Sequence, residues 1–537
     1  MSLEAVAPPD PPLAEWLTPA LTVKAGRDPL GLQTITQDRI IPELLPGVLA
    51  LSQRARYLSI YPFLLHDYRE RRLPADKASL GDFIRLREYE LCLAAQLCPR
   101  GCGALKAIGN DRAGPDARSL PAAFARRLSV KSPMGGYGLY YRSPLIDLGL
   151  VVPAGAMLGE RPTPIDHVPK GGPAELLARC FGEAISETAY ARDYMNGVDP
   201  IPVDVIRELS EQACLCRLDD FPVEQEAIRA AYFEEPSDER SEQVEQRRRA
   251  FAIFLDQLTK DPESAYSEGA FRRGLIRSFT MEHGGIDARV DTQASWGALA
   301  MKECVQDALC SLWTEFCRRG LDHQAVDGMT PRELRDFIAE ELAGAGELSF
   351  ENSSITWTAD QPVDELQGTV NAVFADLDWE DVAAWAAKEN TAMAGLVALL
   401  WFADQTPEGD RAPSSWQWVA QQNSDHQMGL LQTVLALRSR LNTVPTVSET
   451  LDWALRTFIL GPHEVIAYSK LPDSTFRFCW EEGRLRFYPT GHERFGSSIA
   501  RREALSSLSR DLGLWEIAGD EAQLTPDGRS LVAEVFE

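Results

Sequence analysis

Residues 497–536 read SSIARREALSSLSRDLGLWEIAGDEAQLTPDGRSLVAEVF, and the fold reading starts from them. Ser497 and Ser498 can cap a helix, and Ile499 to Arg510 follows with apolar residues at helical spacing. Asp511-Leu512-Gly513-Leu514 ends that helix, with Gly513 where a C-terminal cap needs a left-handed residue. Trp515 to Leu524 forms two short strands around Gly519-Asp520, a hairpin turn signal. Thr525-Pro526-Asp527-Gly528 then turns the chain into a closing helix, Arg529 to Phe536. The order is helix, turn, hairpin, helix.

That order resembles the second half of bacterial winged-helix domains. The resemblance makes the helix before D-L-G-L a recognition element and the hairpin a wing, and it places such a module at residues 463–537. Between Arg484 and Arg510 the chain carries Arg484, Arg486, Arg494, Arg501, Arg502 and Arg510 against two acids, Glu493 and Glu503. Such a face can hold phosphates, and it can equally meet an acidic protein. A fainter copy lies upstream. Leu145-Ile146-Asp147-Leu148-Gly149-Leu150 parallels D-L-G-L, and Gly171-Gly172-Pro173 followed by Leu176, Leu177, Ala178 and Phe181 parallels the tail after Gly528. The lead-in from Pro121 to Arg142 holds Arg126, Arg127, Lys131 and Arg142 with no acid. A second winged-helix-like module is therefore expected at residues 119–185.

Around these modules the pattern is helical. At roughly 100–200 residues per domain, 537 residues imply several domains. The expected architecture is mainly α and multidomain with small β-hairpins: helical domains at 1–118, 186–345 and 346–462 beside the two modules. A helix is expected from Leu80 to Leu97 with Ser79 as N-cap, another over Ala298 to Arg319, and a capped helix from Thr330-Pro331-Arg332-Glu333 to Leu342. Leu348 to Thr358 reads as a strand. Glu234 to Arg249, almost free of apolar residues, reads as a solvated helix start or a linker. The longest apolar run, Ala392 to Ala403, is shorter than the about 20 residues a bilayer requires, so it is expected in a core and no membrane partner is expected.

The net charge of −26 excludes a protein that coats nucleic acid along its whole surface, so any DNA contact must use local basic patches. The ten cysteines sit mostly in apolar helical text, and Met1 to Pro12 lacks a basic leader, so a reducing cytoplasm is expected. No catalytic constellation, metal site or cofactor is expected. Cys98-Pro99-Arg100-Gly101-Cys102, with Cys92 upstream, lacks a matching downstream pair, and Cys214-Leu215-Cys216 lacks metal-ligand spacing. His463-Glu464 lacks a zinc-protease partner histidine, and Gly135-Gly136-Tyr137-Gly138 lacks the lysine and hydroxyl of a P-loop and reads as a turn. A nuclease built from Glu464, Lys470 and Asp473 has poor spacing.

Leu44-Leu45-Pro46-Gly47, Arg54-Ala55-Arg56-Tyr57 and Tyr61-Pro62-Phe63 resemble the P-G…R-A-R-Y…P-W opening of uncharacterised proteins from bacterial phage-defence islands. Phe63 stands where that pattern has tryptophan. Arg85 to Glu90, Tyr140 to Leu145, and His463 to Phe478 are similar to later blocks of the same proteins. The resemblance implies a component of an antiviral complex beside a helicase, nuclease or ATPase, and it carries Arg54 and Arg56 over as candidate DNA-binding residues. The expected function is a non-catalytic DNA-sensing or adaptor subunit. The alternatives are a kleisin-like subunit bridging an SMC-type ATPase and a divergent metal-dependent nuclease.

Overall fold

A computed structural model describes residues 28–536, apart from 105, 120, 159–160, 196, 198, 235–240, 282–287, 326, 352, 408–411, 425–426, 490–495 and 497–500. The chain is mainly helical, and its strands form two-stranded antiparallel sheets. Among the described residues, no helix is long and apolar enough to cross a membrane. Two compact units form. The first holds the described residues of Met1–Ile40, Leu275–Gly284 and Ala294–Ala500; the second holds those of Ile41–Gly274, Gly285–Gln293 and Arg501–Glu537. The expected five-part division is thus cut differently. Residues 463–500 and 501–537 fall in different units, and 41–118, 119–185 and 186–274 share one.

In the first unit the apolar run lies in helix Ala392–Gln405, with every residue from Ala392 to Ala403 buried. Thr391 caps it by accepting from the Ala394 amide at 3.1 Å, and Asn390, at φ 52°, ends the preceding helix Trp379–Glu389. Trp379 stacks on Phe402 with ring centroids 4.6 Å apart. Gly395 lets this helix approach helix Ala288–His323 closely, because a Cβ there would lie 2.6 Å from the Ala308 carbonyl oxygen. Each large apolar side chain fully buried in such a core contributes about 1.5–3 kcal/mol.

Several local expectations are met here, and one is corrected. Thr330 and Glu333 form the capping box, and helix Pro331–Phe337 continues as a π turn to Leu342. The single strand expected at 348–358 is a hairpin, Gly346–Phe350 against Ser353–Trp357, because Glu351 adopts φ 49° and reverses the chain. The boundary placed at 463 falls within continuous helical text. Helix Val447–Ala454, π turn Leu455–Leu460 and helix Gly461–Ser469 follow one another, with Pro462 directly after the π turn.

His463 shows what holds this stretch. It is fully buried; its Nδ1 lies 2.9 Å from the Pro29 carbonyl oxygen and its Nε2 accepts from the Arg477 amide at 2.9 Å. That pattern requires the neutral Nδ1–H tautomer, and burial lowers the ring's pKa to about 3. The unfolded chain binds a proton near pH 6.5, so this contribution is complete above that pH and is lost as pH falls toward 3. Equilibrium denaturation should therefore show a slope of about 1.4 kcal/mol per pH unit from this group. His463→Gln should lack that component, and equal pH slopes for the two proteins would refute the assignment.

In the second unit, helix Tyr57–Glu70 packs on Pro173–Ile185, where Phe63 meets Phe181 at 5.4 Å and lies over Gly182. Helix Lys77–Gln96 starts three residues before the expected Leu80, because the Asp76 carboxylate accepts from the Ser79 amide at 2.8 Å and caps it. Residues 235–240 of the charged stretch lie outside the described residues. Helix Ser241–Lys260 starts with exposed Glu242 and Gln243, and its solvated character ends within two turns: Arg247 is buried and donates to the carbonyls of Tyr232 and Pro46 at 2.8 and 3.0 Å.

The two D-L-G-L segments close their helices in the same way. Leu150 N–H donates to Leu145 O at 2.7 Å and Leu514 N–H to Ser509 O at 2.9 Å, with Gly149 and Gly513 at φ 73° and 71°. Each is followed by a hairpin, Met157–Leu158 with Arg161–Pro162 and Trp515–Ala518 with Glu521–Leu524, and then by a helix, Pro173–Ile185 and Pro526–Phe536. The expected cap at Ser497 and Ser498 lies outside the described residues; the described helix runs Arg502–Asp511.

Gly135-Gly136-Tyr137-Gly138 is not the expected turn: it is helical and leads into π-helix Tyr137–Tyr141, whose start wraps an anion belonging to the protein itself. Glu88 is buried and accepts from Gly136 N at 3.1 Å, Tyr137 N at 2.8 Å, Tyr61 Oη at 2.8 Å and Ser129 Oγ at 2.5 Å. A Cβ on Gly135 would lie 2.5 Å from Glu88 Oε2. Burial pushes this carboxyl's pKa up, while the four donors pull it back.

Candidate metal centre

Two helix ends in the second unit bring four cysteines together. Helix Lys77–Gln96 stops at Leu97, and Cys98 follows it. Gly101 N–H then donates to Cys98 O at 3.0 Å, and Gly101, Gly103 and Ala104 at φ 63°, 61° and 52° curl the loop so that Cys102 faces back toward Cys98. Helix Val203–Ala213 packs on the first helix and stops where Cys214 turns to φ −59°, ψ 137°. A 3-10 turn, Leu215–Asp220, carries Cys216.

The Sγ atoms of Cys98 and Cys216, of Cys102 and Cys214, and of Cys214 and Cys216 are each 3.5 Å apart. All four sulfurs lie within 4.8 Å of one another; Cys98 and Cys214 are buried, Cys102 and Cys216 half-buried. Among the described residues this is the one grouping of three or more cysteine, histidine or carboxylate ligands that could hold a metal ion. The Cys216 thiol is held well below its ordinary range. Cys214 hydrogen-bonded to it is the largest cause, with Cys98, Cys102 and the Arg54 charge adding to it. Cys214 moves the opposite way because its proton serves that hydrogen bond.

Three arginines fix the turn that presents Cys214 and Cys216. Arg56 Nη1 donates to Cys214 O at 2.8 Å, Arg54 Nη2 to Leu215 O at 2.8 Å, and Arg100 Nη1 to Cys216 O at 3.1 Å. Each guanidinium is held in turn by carboxylates. Arg56 forms a forked pair with Glu224 at 3.1 and 3.0 Å and lies over the Phe221 ring at 4.5 Å. Arg54 meets Asp511 of the second D-L-G-L at 2.9 Å, and Arg100 meets Asp219 at 2.7 Å and Asp220 at 2.5 Å. The R-A-R-Y arginines therefore support the C-x-C turn from behind. Charge-assisted donors on successive carbonyls set its backbone geometry more firmly than neutral ones would.

The other candidate DNA-binding residues are dispersed, and most are engaged internally. Arg126 pairs with the buried Glu90, Arg142 with Asp166 at 2.6 Å, and Arg127 with Asp116 at 3.0 Å while its side chain stays 61% exposed. Lys131 is exposed. Arg484 donates to Gly328 O at 2.8 Å and pairs with Glu333 at 3.2 Å; Arg486 pairs with Glu481 at 3.3 Å. Those two belong to the first unit, whereas Arg501, Arg502 and Arg510 belong to the second. Arg501 is buried, Arg502 donates to Ala265 O at 2.7 Å and pairs with Glu268 at 3.3 Å, and Arg510 is exposed over the Trp515 ring. Arg494 lies outside the described residues. In helix Arg502–Asp511, Glu503 and Arg510 are the exposed positions, which is a narrow face for a recognition helix.

Of the nuclease candidates, Glu464 accepts from the Trp480 amide at 3.4 Å, Lys470 donates to Asp28 O at 3.1 Å, and Asp473 is exposed. Taken pair by pair, the cysteines carried too little signal. The missed cue was that C-x3-C and C-x-C each directly follow a helix. Compared with known proteins, neither a protein family, nor a curated protein, nor a solved structure matches the chain.

Proposed function

We propose that the chain is a non-catalytic adaptor subunit of a bacterial anti-phage defence complex, working beside a helicase, nuclease or ATPase. The observation that carries the reading is the use of the R-A-R-Y motif. Arg54 and Arg56 hold the chain's own backbone at Leu215 and Cys214, so the motif behind the family resemblance serves architecture rather than chemistry. The engagements of Glu464 and Lys470 with backbone groups support the non-catalytic side. Between sensing and adapting, adapting has more support, because most of the basic side chains that would meet phosphate already face carboxylates. Freeing Arg56 or Arg126 for DNA leaves a buried carboxylate behind, at a cost of several kcal/mol. A kleisin-like bridge has less support, since Arg501–Glu537 packs in the same unit as Ile41–Gly274 rather than as a separate end.

Co-expression with the genes beside it tests the proposal. The expected result is a stoichiometric complex with a helicase, nuclease or ATPase, and no shift of duplex DNA by the chain alone at low salt. Tight duplex binding that is lost in Arg127→Glu/Lys131→Glu would replace adapting by sensing. Nucleotide or DNA turnover by the purified chain, abolished by Glu464→Gln, would overturn the non-catalytic reading.

A further inference from the structure

We propose that Cys98, Cys102, Cys214 and Cys216 bind a single zinc ion in a tetrahedral all-thiolate site that joins the ends of helices Lys77–Gln96 and Val203–Ala213. The inference is independent of whether the chain is an adaptor. It stands first on geometry. Zinc–sulfur bonds of about 2.3 Å place the corners of a tetrahedron about 3.8 Å apart. Three of the observed Sγ–Sγ separations are 3.5 Å, and all lie within 4.8 Å, so one ion can reach every sulfur with small adjustments. The same distances are well beyond the roughly 2.05 Å of a disulfide.

The loops around the sulfurs support the same conclusion. Two turns, one built on left-handed Gly101, Gly103 and Ala104 and one on the break at Cys214, aim four side chains at a common centre from segments more than a hundred residues apart in sequence. Four neutral thiols gain little from such an approach, since S–H is a weak donor and sulfur a weak acceptor. Four thiolates without a cation would repel one another. A soft divalent ion resolves both problems, and thiolate ligation selects zinc over harder cations.

The surrounding charges fit the loaded state. Binding displaces to solvent the protons still on the thiols and leaves four thiolates around a divalent ion, a site with two net negative charges. Arg54, Arg56 and Arg100 donate to the carbonyls of the Cys214–Cys216 turn, and Arg54 and Arg100 interact electrostatically with its thiols. These arginines orient the ligand-bearing backbone without touching the metal, the role that outer-shell groups play in structural sites.

Metal analysis of the full chain, purified without an immobilised-metal column, tests the proposal. One zinc per chain is expected, and replacement by cobalt should give the visible absorption of a tetrahedral thiolate site. Cys102→Ser and Cys216→Ser should each lose stoichiometric metal, while Cys180→Ser, outside the cluster, should retain it. Should the serine variants fail to fold, the wild-type chain still decides the matter, because chelation should make four further thiols reactive. Three results would overturn the site: no zinc in protein grown with zinc, a disulfide joining any two of these cysteines, or an iron chromophore in place of zinc.

Discussion

Glu224→Ala should destabilise the second unit by roughly 3–5 kcal/mol, the range for removing one partner of a buried ion pair. The Arg56 side chain is fully buried, its Nε and Nη2 both point at the Glu224 carboxylate, and Ser59 Oγ donates to the same group. Without the carboxylate, a guanidinium keeps its charge in a site it cannot leave, because arginine does not deprotonate to escape burial. The loss corresponds to a fall in Tm of about 10 °C, at roughly 2–4 °C per kcal/mol for a large domain. The double variant Arg56→Met/Glu224→Leu should recover part of that loss, since no charge is then stranded. Recovery should be incomplete, because Cys214 O loses the donor that Arg56 Nη1 supplies. Urea denaturation followed by far-ultraviolet circular dichroism measures both. A Glu224→Ala loss below about 1 kcal/mol, the range of exposed pairs, would show that water reaches the pair.

Glu88→Ala should be of similar size for a different reason. The Glu88 carboxylate is the acceptor for two backbone amides and two hydroxyls, and it is met by no guanidinium among its hydrogen-bond partners. Each buried donor left unsatisfied costs about 1–3 kcal/mol, and a cavity remains under the packed rings of Tyr61, Tyr137 and Tyr141. A loss of at least about 4 kcal/mol is expected. Glu88→Gln separates hydrogen bonding from volume. Tyr61 and Ser129 hydroxyls can rotate to accept from the new amide, but the N–H groups of Gly136 and Tyr137 point at different carboxylate oxygens. One of them must then face an NH2 group, so about 1–3 kcal/mol should be lost without any change of size. Equal stability of Glu88→Gln and wild type would show that the carboxyl is protonated in the fold and already acts as a donor.

Both experiments address residues whose meaning changed between sequence and fold. Arg54 and Arg56 stood out in sequence because a closely spaced arginine pair resembles a motif and suggests phosphate. Their partners, Asp511, Glu224 and the carbonyls at 214 and 215, lie more than 150 positions away, so nothing local could reveal that their charges are already matched. The glycine-rich stretch reads as a turn from its glycines but opens a π-helix, because the anion its amides surround, Glu88, lies 48 residues upstream of Gly136.

The features legible in the residues alone are local. Helix content follows from apolar spacing, the Thr330 cap from the Thr-Pro-Arg-Glu arrangement, and the D-L-G-L stops from a glycine able to adopt positive φ. These features depend on interactions within a few residues, where the chain has few alternatives. Helix packing brings a C-x3-C and a C-x-C segment, each weak alone, together with sulfurs 3.5 Å apart. It also makes the apparent basic faces largely the inner halves of ion pairs. Those outcomes depend on which helix packs on which. Burial of apolar area over the whole chain sets that choice, and it leaves no short-range trace in the residues that finally meet.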